Sequence, residues 1–116
     1  MRLISVLAGA VLAAGMLSPA ASAATRPTLA DCVGKPQVKP KAIILACADG
    51  GDVVHKLKWT SWGRRTAHAT GVESVNTCDP NCAAGHYETH RVKVTLRGDG
   101  KRFTKIIVNG KVYERR

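Results

Sequence analysis

Cys78, Cys82, His86 and His90 recur every four residues, and two thiolates with two imidazoles make a tetrahedral zinc set. Four-residue steps align ligands only on a helix, however, and Pro80 and Gly85 would interrupt one. Cysteine chemistry points elsewhere. Cys32, Cys47, Cys78 and Cys82 form an even set, which in an exported chain pairs as disulfides and cannot ligate. No metal and no cofactor are expected. Of the three possible pairings, a type I turn at Asp79-Pro80-Asn81 favours Cys78 with Cys82, leaving Cys32 with Cys47. Long-range pairing would restrict the unfolded chain more, so loop entropy alone does not select the partners.

Acid–base and nucleophilic chemistry find little support. His55 and His68 are accompanied by no Ser in a nucleophile elbow and no activated thiol. Asp49, Asp52, Glu73, Asp79, Glu88, Asp99 and Glu114 fall mostly in turns or alone, so no enzyme is expected. Trp59 and Trp62 could stack on a sugar or base. With aromatics at 4% of the chain, they are expected instead in core and corner packing.

The remaining chemistry is cationic. Eighteen Lys and Arg against eight Asp and Glu give a formal charge of +10, which favours anionic partners. Arg91, Lys93 and Arg97 alternate with Val92, Val94 and Leu96, so they project from one face of a strand. Lys56 and Lys58 do the same on another strand, and Lys101, Arg102 and Lys105 extend the set if neighbouring strands pair. The partner implied is an envelope polymer, a lipid headgroup or an acidic protein, and the competing explanation is that the charge serves solubility. No specific nucleic-acid partner is expected, because no RNP-like or zinc-finger pattern is present.

The elements that position these residues follow from composition. Met1-Arg2, the apolar run Leu3 to Leu17 and Ala21-Ser22-Ala23 read as a signal peptide over 1–23, interrupted too early by Pro19 to span a membrane. A secreted, extracellular product follows. Residues 24–40, with Pro27, Pro36 and Pro40, read as a flexible basic lead-in, and 41–116 as one β domain.

Lys41 to Gly63 is the centre of that domain: an apolar run ending at Cys47, the turn Asp49-Gly50-Gly51-Asp52, then a strand. Alternation there predicts Val53, His55, Leu57 and Trp59 inward and Val54, Lys56 and Lys58 outward. Thr66 to Val75 offers Ala67, Ala69 and Gly71 as a small-residue face beneath a tryptophan, with His68 outward. Asn109-Gly110 is a hairpin signal. The fold expected is all-β, a small antiparallel β-sandwich or partly open barrel of five or six strands, stapled by disulfides. Its core is Ile44, Leu45, Val53, Leu57, Trp59, Ala69, Val92, Val94, Leu96 and Phe103.

Leu45-Ala46-Cys47-Ala48-Asp49-Gly50, Leu57-x-Trp59-x-x-Trp62-Gly63, Ala69-x-Gly71, Asn76-x-Cys78-x-Pro80-x-Cys82-Ala83-x-Gly85 and Val92-x-Val94-x-Leu96 together resemble a group of small exported actinobacterial proteins. That resemblance implies secretion and a shared disulfide framework, and brings no catalytic residues. A weaker likeness, through Cys32, Cys47 with Ala48-Asp49, and Gly110 to Arg115, is to the secreted subtilisin-inhibitor family. It implies a disulfide-braced loop over 76–85 that blocks a serine protease, although Cys78-Asp79-Pro80-Asn81-Cys82 departs from the reactive loop of that family.

Overall fold

The computed structural model describes residues 26–116; the expected signal peptide lies outside them. Eight strands follow in order: β1 (Thr28–Ala30), β2 (Pro36–Gln37), β3 (Ile43–Ile44), β4 (Asp52–Trp62), β5 (Thr66–Asn76), β6 (Tyr87–Gly98), β7 (Arg102–Val108) and β8 (Lys111–Glu114). They make one all-β sheet in the order β2-β1-β7-β6-β5-β4-β3, with β8 also on β7, and no helix occurs among the described residues. The sandwich alternative is thereby replaced by a single sheet curled into a half-barrel.

Contacts across the hollow show the curl. Trp62 on β4 and Phe103 on β7 lie edge to face with ring centroids 5.0 Å apart, although two strands separate them in the sheet. The Tyr113 hydroxyl on β8 donates to Asp52 Oδ2 on β4 at 3.1 Å. Such approaches need the strong right-handed twist that lets a sheet close on itself.

The stretch expected as a lead-in does the closing. It supplies β1, parallel to β7, and β2, and Leu29 is fully buried. Burying one leucine contributes roughly 1.5–3 kcal/mol, which explains why so short a strand is held. From β2 the chain crosses to β3 on the opposite edge, and the Cys32–Cys47 disulfide locks the two sides together. Arg115 repeats the link without covalency, donating through Nη1 to Ala30 O at 2.9 Å and through Nη2 to Ile44 O. The indole N–H groups of Trp59 and Trp62 donate to Pro40 O (2.7 Å) and Pro27 O (2.9 Å), fastening the strap to β4. Strand count rises from the expected five or six to eight because β1 and β2, three and two residues long, are too short to show a period.

The concave face holds the core. Val92, Val94 and Leu96 alternate inward along β6, and Leu57, Ala69 and Phe103 join them. Trp59 pairs in register with Ala69, and Trp62 with Ala67, so each large ring sits beside a small neighbour. Two corrections arise from β-bulges. Val54, not Val53, is fully buried, and His55 turns to the convex side, its Nε2 2.9 Å from Ser74 Oγ. Between the pairs His55–Val72 and Lys58–Thr70, the residues Lys56 and Leu57 together face Gly71. The extra residue reverses the in-out phase, so Val54 and Leu57 both point inward. Lys56 takes φ +55° to do so, and a Cβ on Gly71 would lie 2.9 Å from His55 O. A second bulge at Thr60 puts Trp62 on the side of Trp59. In β3, likewise, Ile43 pairs with Val54 and is buried, whereas Ile44 is 41% exposed. Leu45 packs partly buried against the core.

Candidate functional site

On the convex side the cations gather. Lys58, Thr70 and Lys93 stand in register across β4, β5 and β6, and Val72 and Arg91 form the next row. With Lys56 at the bulge, these residues line a shallow depression of about 610 Å³, floored by Gly71 and Val92 and closed on one side by Asn109. Neighbouring strands lie about 4.8 Å apart and alternate residues about 6.7 Å apart, so the four cations border a patch of roughly 7 by 10 Å at their roots. Asn109 fixes its rim: Lys93 N donates to Asn109 Oδ1 at 3.0 Å, and Asn109 N to Lys93 O at 3.1 Å. The Asn109-Gly110 turn, with φ of 47° and 90°, is the left-handed pair that a two-residue hairpin requires.

The five cations singled out by sequence therefore separate. Lys56, Lys58, Arg91 and Lys93 share the depression, while Arg97 lies further along β6, in register with Lys105 and Thr66. Lys105 is tied to Glu114 by a 3.0 Å ion pair, and Lys101 and Arg102 lie at the β6–β7 turn. That turn is held by Asp99, whose carboxyl is pulled below its usual range by backbone N–H groups of Arg102 and Lys101. Between Lys93 and Arg97 a smaller hollow of about 250 Å³ is lined by Thr60, His68, Thr70 and Thr95. His68 Nδ1 is 3.3 Å from Thr95 Oγ1. Sequence reasoning missed Thr70 and Asn109. Thr70 has the outward parity of His68, but naming it required knowing that β5 lies between β4 and β6.

Carboxylates keep clear of the larger depression, and the one on the convex side, Glu114 of β8, is spent on Lys105. Among β4–β7, Asp52, Glu73 and Glu88 have the parity of the buried residues Val54, Ala69 and Val92, so none projects from the convex face. At the concave end, Glu73 is buried and its Oε1 lies 3.0 Å from His90 Nε2. Burial, then the neighbouring Asp52, raises the Glu73 carboxyl above its ordinary range, with His90 opposing. Tyr113, desolvated and bonded to Asp52, is pushed up to about 12. Asp52 Oδ1 is buried and has no hydrogen-bond partner. Four strands contribute to this cluster, and it was not foreseen.

The two thiols of the zinc-spaced set are oxidised. Cys78 is bonded to Cys82 and Cys32 to Cys47, leaving no free thiol among the described residues. His90 serves Glu73. The Asp79–Pro80 peptide within the smaller disulfide loop is cis. Asn76 braces the loop, donating through Nδ2 to Cys82 O and accepting from Cys78 N, both at 2.9 Å. Bends at 79–80 and 82–84 fold the segment back on itself. No family model, curated protein or solved structure matches the chain.

Proposed function

We propose that the protein is a secreted, non-catalytic binding module that takes an anionic partner of the cell envelope or its surroundings on its convex face. One observation carries the reading: Lys56, Lys58, Arg91 and Lys93, drawn from two strands that are not neighbours, border one depression lined by no carboxylate. Charges that served solubility alone would be interspersed with opposite charges. Two disulfides are compatible with an oxidising exterior. The depression contains neither a carboxylate nor a thiol to act as acid, base or nucleophile, which favours binding over turnover.

The test compares two variants of equal net charge on a phosphate-bearing matrix. Lys58→Ser/Arg91→Ser/Lys93→Ser removes three cations of the depression; Lys35→Ser/Lys39→Ser/Arg116→Ser removes three exposed cations of the strap and C-terminus. The first should elute at clearly lower salt than the second. Equal elution would mean that total charge, not this face, governs the interaction.

A further inference from the structure

Resting on that reading, we infer that the anionic partner is a linear polyol phosphodiester chain lying along β6 from Arg91 to Arg97. The cations form a track, not a point. Arg91, Lys93, Thr95 and Arg97 all share the outward parity of one unbulged stretch of strand, and the two hollows meet at Thr70 and Lys93. At about 3.3 Å per residue the track is roughly 20 Å long, with positive charge or hydroxyl at each step of about 6.7 Å. A three-carbon polyol phosphodiester carries its charges at a comparable step. Thr70 and Thr95 add hydroxyls for phosphate oxygens or polyol hydroxyls between the cations, while the Thr60 hydroxyl, which donates to His68 O at 3.2 Å, can still accept from a polyol hydroxyl.

Other anionic partners fit less well. A single-stranded nucleic acid is held by aromatic platforms on which bases stack, and here Trp59, Trp62 and Phe103 belong to the concave core. A protein partner is commonly anchored on buried tryptophan or tyrosine at the centre of its interface, and neither hollow is lined by Trp, Tyr or Phe. A membrane surface would be reinforced by apolar insertion. Val33, Val38, Ile44, Tyr87 and Val112, the exposed large hydrophobic residues, all lie outside the two hollows.

The experiment titrates the full chain with defined glycerol phosphate oligomers, from a single unit to lengths exceeding the track. Affinity should climb steeply with length and level off once the chain spans Arg91 to Arg97. With five cations engaged, doubling the salt should weaken the longest oligomer roughly tenfold. Arg97→Ser should weaken long oligomers several-fold and leave the single unit unchanged, because Arg97 lies outside the larger depression. Length-independent binding, insensitive to Arg97→Ser but lost in the Lys58/Arg91/Lys93 triple variant, would overturn the track and leave the anion-binding face standing. Tighter binding of a polyuronate or oligonucleotide of equal charge, or of vesicles of anionic lipid, would overturn the phosphodiester assignment. Failure of every anion to bind would overturn the underlying reading as well.

Discussion

On the concave side of β6, Val92, Val94 and Leu96 are buried, whereas on the convex side of the same strand Arg91, Lys93 and Arg97 stand in water. The two faces are bound to opposite demands by one backbone. Inward positions are constrained by packing: Phe103 and Ile106 are fully buried, and Trp62 sits edge-on to Phe103. Outward positions make few packing contacts that would suffer from a change of side chain. Stability and ligand chemistry are thereby separated by side-chain parity, so each can be perturbed while the other is monitored.

The largest effect should come from the concave side. Phe103→Ala removes a fully buried ring that Trp62 and the strap depend on, and should cost about 3–5 kcal/mol in denaturant unfolding. Lys93→Ala, an exposed position on the opposite face of the same sheet, should change stability by less than about 0.5 kcal/mol while weakening anion binding. A comparable loss of stability in both would break the division between the faces.

A second perturbation uses pH. Glu73 faces Asp52 from β4, His90 from β6 and, through Asp52, Tyr113 from β8. Because its carboxyl is raised in the fold, the native state keeps that proton longer than the unfolded chain does. Its contribution is therefore complete at acid pH, below the unfolded pKa, and is lost as pH rises through the folded value. Tyr113 adds a second loss between about 10 and about 12. Urea midpoints measured across pH should decline through both windows. Glu73→Gln should flatten the first decline and Tyr113→Phe the second, with anion binding on the convex face unchanged at fixed pH. A midpoint that instead rose through the first window would contradict the raised carboxyl.

How much of this was legible depends on where the chain keeps a simple period. β6 runs unbulged against β5 from Tyr87 to Arg97, so its alternation in sequence is its alternation in space. The turn at Asn109-Gly110 was legible because positive φ at both positions selects those residues. The inward phase of β4 was not, since one extra residue at Lys56 exchanges the faces of everything before it and a bulge leaves no mark on hydropathy. Lys58, Arg91 and Lys93 could be nominated by parity, but their meeting with Thr70 and Asn109 depends on strand order. The Asp52–Glu73–His90–Tyr113 cluster depends on the curl as well, with Asp52 and Tyr113 sixty-one residues apart in sequence.

Lys56 is where the two faces are coupled, and it yields the smallest and most discriminating prediction. Its backbone, at φ +55°, sets the inward phase of Val54 and Leu57, while its side chain lines the convex depression. Lys56→Gly keeps the first role and deletes the second. A left-handed L-residue costs roughly 1–2 kcal/mol, and the greater freedom of glycine in the unfolded chain offsets about half of the relief. Stability should therefore rise by less than about 1 kcal/mol, while the salt dependence of anion binding falls by the equivalent of one contact, a slope change of about 0.7. Lys56→Ala removes the same charge but retains a Cβ, so it should match the glycine variant in binding and lack its gain in stability. If the two variants were equally stable, strain at this bulge would have no energetic weight. If Lys56→Gly bound as tightly as wild type, the depression would be a property of Lys58, Arg91 and Lys93 alone.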